Sequence, residues 1–92
     1  MDKSIQIGIN MALEKMPQGT KIFTSEKDGQ IILYVFEPGG AISDSLIAGG
    51  NRYQIKLTRQ STFYDIKMLI INSHLAYWAY QREKMRVVVK NF

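Results

Sequence analysis

Lys27-Asp28-Gly29 stands between two runs rich in β-branched and aromatic residues, and this restricts the fold more than any other local feature. Glycine enters positive φ without steric cost, so an Asp-Gly step between such runs is strong turn chemistry. The runs are Thr20–Glu26 and Gln30–Phe36, and together they predict a β-hairpin. Pro38-Gly39-Gly40 closes the second strand, because proline cannot donate to a ladder. Further on, Arg52–Thr58 alternates. Tyr53, Ile55 and Leu57 point one way, and Arg52, Gln54, Lys56 and Thr58 the other, as in a third strand with one dry and one wet face.

Helices are expected at both ends. Ile5, Ile9, Ala12, Leu13 and Met16 form the apolar stripe of an amphipathic helix over residues 3–16, with Pro17-Gln18-Gly19 as its stop. A competing pattern, the alternation from Ser4 to Asn10, would make the same residues a strand, and Gly8 costs a helix about 1 kcal/mol relative to alanine. Thr62 and Asp65 are spaced as a capping box, opening a helix from Phe63 to about Met85. Ile66, Leu69, Ile70, Ser73, Tyr77 and Tyr80 make one face of it. Tyr64, Met68, Ile71, Leu75 and Trp78 make the opposite one. Val87-Val88-Val89 is read as a short final strand. The expected fold class is α+β: a small antiparallel sheet, hairpin plus third strand, packed against an N-terminal helix and a long C-terminal helix.

Ninety-two residues make one domain, spanning 1–92, because halves would be too small to bury a core. Cysteine is absent, which removes disulfides, thiolate nucleophiles and sulfur-ligated metals together. Met1-Asp2-Lys3-Ser4 leads into no long apolar run, so no signal peptide is expected, and no stretch approaches a membrane span. A cytoplasmic location and no membrane association are the expectations. Residues 37–50, with glycine pairs at 39–40 and 49–50, are expected to form a mobile loop.

Little in the chain points to catalysis. His74 is the only histidine, and Asn72, Ser73 and Leu75 beside it are poor partners for a metal or a nucleophile–base pair. It is expected to be a hydrogen-bonded boundary residue. The carboxylates are scattered singly, mostly by turns and helix ends. Gly39-Gly40-Ala41-Ile42-Ser43 lacks the Gly-Lys-Ser/Thr ending of a phosphate loop. The chain is therefore expected to be non-enzymatic, with no cofactor and no metal. A small-molecule site lined by Tyr34, Tyr53, His74 and Tyr77 ranks well below the binding roles.

Charge supplies the main functional clue. Residues 1–50 carry four lysines against six carboxylates, a net −2, whereas residues 51–92 carry eight basic groups against two carboxylates, a net +6. Such asymmetry points to an anionic partner. Nucleic acid is the leading expectation, through Arg52, Lys56, Arg59, Arg82, Lys84 and Arg86, with Tyr34 and Phe36 as base-stacking groups on the wet face of the sheet. The Lys/Arg-Gly-Phe/Tyr-Gly/Ala-Phe run of RNA-recognition domains is absent. Consecutive apolar residues in strand two more often mean a central strand covered on both faces. The alternative function is a protein-interaction module, an inhibitor or adaptor, using the 37–50 loop and the aromatic helix face. That face, Tyr64, Met68, Ile71, Leu75 and Trp78, would also serve as the interface of a homodimer.

Overall fold

Asp28 and Gly29 both take positive φ, 53° and 77°, the conformation of a two-residue hairpin turn whose twist matches that of the flanking strands. The turn sets the register: Lys27 pairs with Gln30, and the ladder runs back to Lys21 opposite Phe36. In this computed structural model, which describes residues 3–38, 51–58 and 61–90, the chain runs α1 (Lys3–Leu13), β1 (Lys21–Lys27), β2 (Gln30–Glu37), β3 (Asn51–Leu57) and α2 (Phe63–Lys90). The sheet is antiparallel in the order β1-β2-β3, and the fold is α+β as expected.

The core lies on one side of the sheet. Ile31, Leu33 and Val35 of β2 and Ile55 and Leu57 of β3 are buried together with Ile5, Ile9, Ala12 and Met16 from the N-terminal segment and Ile66 and Ile70 of α2. Residues 3–16 are therefore helix and its closing turn, not strand. The 3.6-residue stripe wins because it meets a partner. Gly8 explains the apparent weak point: a Cβ there would come within 2.7 Å of the Phe63 carbonyl oxygen and 2.8 Å of Ile66 Cβ. The missing side chain is what lets α1 and α2 approach.

The capping box opens α2. Thr62 donates its backbone N–H to Asp65 Oδ2 and its Oγ1 accepts from the Asp65 N–H, each at 3.1 Å, so two otherwise orphan donors are satisfied. The helix then continues to Lys90, which corrects the expectation of a final strand at Val87–Val89. No breaker stands before the valines, and extending a formed helix adds one hydrogen bond per residue without a new nucleation step.

The two apolar faces read from the sequence of α2 are rearranged as well. Ile66 and Ile70 are buried and Ile71, His74, Tyr77 and Trp78 turn inward, while Leu69 and Tyr80 are exposed. The helix meets α1 on one flank and β3 on the other, so its inward surface is wider than a single stripe. Of the 37–50 loop, Glu37 closes β2 and is buried, and the mobility expected beyond Pro38 concerns residues 39–50, outside the described residues.

Candidate nucleic-acid interface

Strand alternation places every second residue of the sheet on the side away from the helices. These are Lys21, Phe23, Ser25 and Lys27 of β1, Gln30, Ile32, Tyr34 and Phe36 of β2, and Arg52, Gln54 and Lys56 of β3. Register brings them together: Phe23 lies opposite Tyr34, Lys21 opposite Phe36, Phe36 opposite Arg52, and Ile32 opposite Lys56. The Phe23 and Phe36 rings meet edge to face with centroids 5.6 Å apart, a favourable quadrupole arrangement. Phe23 is 56% exposed and Phe36 38%. Among the described residues no element covers this face and no carboxylate stands on it.

The expectation that strand two is covered on both sides is thus corrected. Ile31, Leu33 and Val35 are buried under the helices, but Ile32 and Tyr34 are only half-buried by their sheet neighbours, and Phe36 is exposed. Both helices chose the same side of the sheet, which a strand apolar on both faces does not by itself decide. Tyr34, Phe36, Arg52 and Lys56 do share one face. Phe23 and Lys21 belong with them and were missed, although counting back from the Asp28-Gly29 turn would have placed Phe23 beside Tyr34.

The remaining basic candidates stand apart. Arg82, Lys84 and Arg86 lie on the exposed C-terminal part of α2 rather than on a strand of the open face. Arg86 pairs with Glu83 at 3.5 Å, and the Lys84 ammonium sits 5.3 Å from the Tyr80 ring centroid. Arg59 lies outside the described residues. Of the five residues expected at an oligomer interface, Tyr64, Met68 and Leu75 are exposed. Ile71 packs against the core, and Trp78 is engaged within the chain.

Behind Phe36 and Arg52, on the helix side, lies a polar cluster that residue spacing did not reveal. Glu37 is in phase with Ile31, Leu33 and Val35, and its side chain has no solvent exposure. Tyr53 donates its hydroxyl to Glu37 Oε2 at 2.6 Å, and Trp78 donates its indole N–H to Oε1 at 3.1 Å. His74 Nδ1 comes within 2.7 Å of Oε1, without the alignment of a hydrogen bond. Tyr77 stacks on Tyr53, centroids 4.8 Å apart, and packs edge-on against Trp78 at 5.4 Å.

Burial, the hydrogen bond to Glu37 and its negative charge hold the Tyr53 hydroxyl far above the ordinary tyrosine range. Burial first, then the Glu37 charge, raises Tyr77 against hydrogen bonds from the Arg52 backbone and the Gln81 side chain. Three of the four residues of the low-ranked small-molecule site, Tyr53, His74 and Tyr77, do gather here. Tyr34 is on the other face of the sheet. The in-phase position of Glu37 on the dry face of β2 was the one sequence signal for this cluster.

Among the described residues no helix is long and apolar enough to cross a membrane. No protein-family model, no curated protein and no solved structure matches this chain.

Proposed function

We propose that this is a non-enzymatic, cytoplasmic protein that binds single-stranded nucleic acid on the open face of its sheet. The observation that carries this reading is the patch of Phe23, Tyr34 and Phe36, flanked by Lys21, Lys27, Arg52 and Lys56 with no carboxylate among them. Exposed aromatic rings on a sheet stack unpaired bases at about 1–3 kcal/mol per base, and the surrounding cations hold the phosphates. Paired bases offer no free π-face to such a surface, so single strands are preferred over duplex.

The test is a titration of labelled single- and double-stranded oligonucleotides at about 150 mM salt, where screening limits nonspecific attraction. Phe36→Ala and Phe23→Ala should each weaken single-strand binding and reduce the preference over duplex. Arg52→Gln with Lys56→Gln should weaken binding of all sequences alike and flatten the salt dependence, by about 0.7 in log–log slope per lost contact. Affinity no tighter than about 100 μM for both forms sinks the reading.

A second reading is favoured by the exposure of Tyr64 (57%), Met68 (37%) and Leu75 (58%) on one side of α2. It makes this helix face a protein-interaction surface, with a second copy of the chain as its simplest occupant. Sedimentation at high micromolar concentration separates the two. A monomer disposes of the homodimer, and a dimer dissociated by Leu75→Asp would bring the second reading forward.

A further inference from the structure

Phe36 and Arg52 form a cross-strand pair on the open face, and their immediate neighbours in sequence, Glu37 and Tyr53, turn to the opposite side. There the two strands are tied to each other and to α2 through one buried carboxylate. Tyr53 reaches it from β3, and Trp78 and His74 reach it from α2. Tyr77 adds its stack on Tyr53. At the other end of the open face, the flanking residues of Ile32 and Lys56 that turn to the helix side, Ile31, Leu33, Ile55 and Leu57, are apolar and buried in the core.

This contrast has a physical meaning. A buried charge adds little stability over a well-packed apolar group of similar size, whereas apolar packing is non-directional. Hydrogen bonds to a charged acceptor are short and angle-dependent, so they fix where a strand end lies. Resting on the reading of the open face given above, we infer that Glu37 is a positioning residue for nucleic-acid binding. Its carboxylate sets the relative placement of Phe36 and Arg52, so that one base stacks while its phosphate is held.

A double-mutant cycle on binding of a fluorescein-labelled oligothymidylate of about 15 nucleotides tests this, with thermal melts to establish that each variant is folded. Glu37→Gln keeps the shape but presents an amide N–H₂ to one of the present donors. It should lower affinity about fivefold in the wild-type background and less than about twofold in the Phe36→Ala background, because coupled residues are not additive. In the Lys56→Gln background the fivefold loss should persist in full. Equal losses in all three backgrounds would mean that Glu37 acts only through general stability, and overturn the inference. So would no loss in the wild-type background. If Glu37→Gln fails to fold, Trp78→Phe, which deletes one donor and keeps the carboxylate, runs the same cycle. Failure of wild-type protein to bind, or of Phe36→Ala to matter, rejects the open-face reading itself and this inference with it.

Discussion

Trp78 donates its indole N–H to Oε1 of Glu37 at 3.1 Å, joining the middle of α2 to the last residue of β2. The acceptor is fully buried, so a lost donor is not replaced by water at no cost. Trp78→Phe keeps an aromatic ring and deletes this bond. A hydrogen bond to a charged group contributes about 1.5–3 kcal/mol, and the variant should lose about that much. Urea unfolding checks it: the midpoint should fall with the slope unchanged. An unchanged midpoint would mean that the bond adds nothing to stability.

Gly8 should resist substitution for a reason of space. Alanine there gains about 1 kcal/mol in helix propensity, but its methyl group would meet the Phe63 carbonyl oxygen at 2.7 Å, and backbone cannot rotate away. Overpacking of this kind costs about 1–3 kcal/mol. The expected net effect of Gly8→Ala is a loss of up to about 2 kcal/mol, read as a fall in Tm of up to roughly 15 °C. A variant more stable than wild type would show that α1 and α2 are not so close in solution.

Alkaline pH should weaken the fold through Tyr53 and Tyr77. Both hydroxyls are raised above the ordinary tyrosine value, so the folded state keeps its protons where the unfolded state loses them. Above pH of about 10 the unfolded chain binds fewer protons, and stability therefore falls as pH rises. Below that value the contribution is fully present. Urea midpoints between about pH 8 and 11 should show this decline, and Tyr53→Phe should make it shallower. A decline just as steep in Tyr53→Phe would place its origin elsewhere.

What the sequence alone determined are the features that need only neighbouring residues. Asp28-Gly29 sets the hairpin and its register, and Thr62 and Asp65 set the start of α2. Each is a matter of local φ preference or local hydrogen bonding, and each is visible within a few positions. The alternation of β3 likewise announced that Arg52 and Lys56 share a face.

Tertiary structure decided the rest. Ile31–Phe36 is apolar on both faces, so its pattern could not choose which side the helices take. That choice, made by packing of α1 and α2 on Ile31, Leu33 and Val35, is what leaves Tyr34 and Phe36 on the open side beside Phe23. The same choice carries Glu37 inward, where Tyr53, Trp78 and His74 meet its carboxyl group from distant parts of the chain. Desolvating a carboxylate is costly unless such partners are present, and no local pattern reports on partners that only the folded chain brings together.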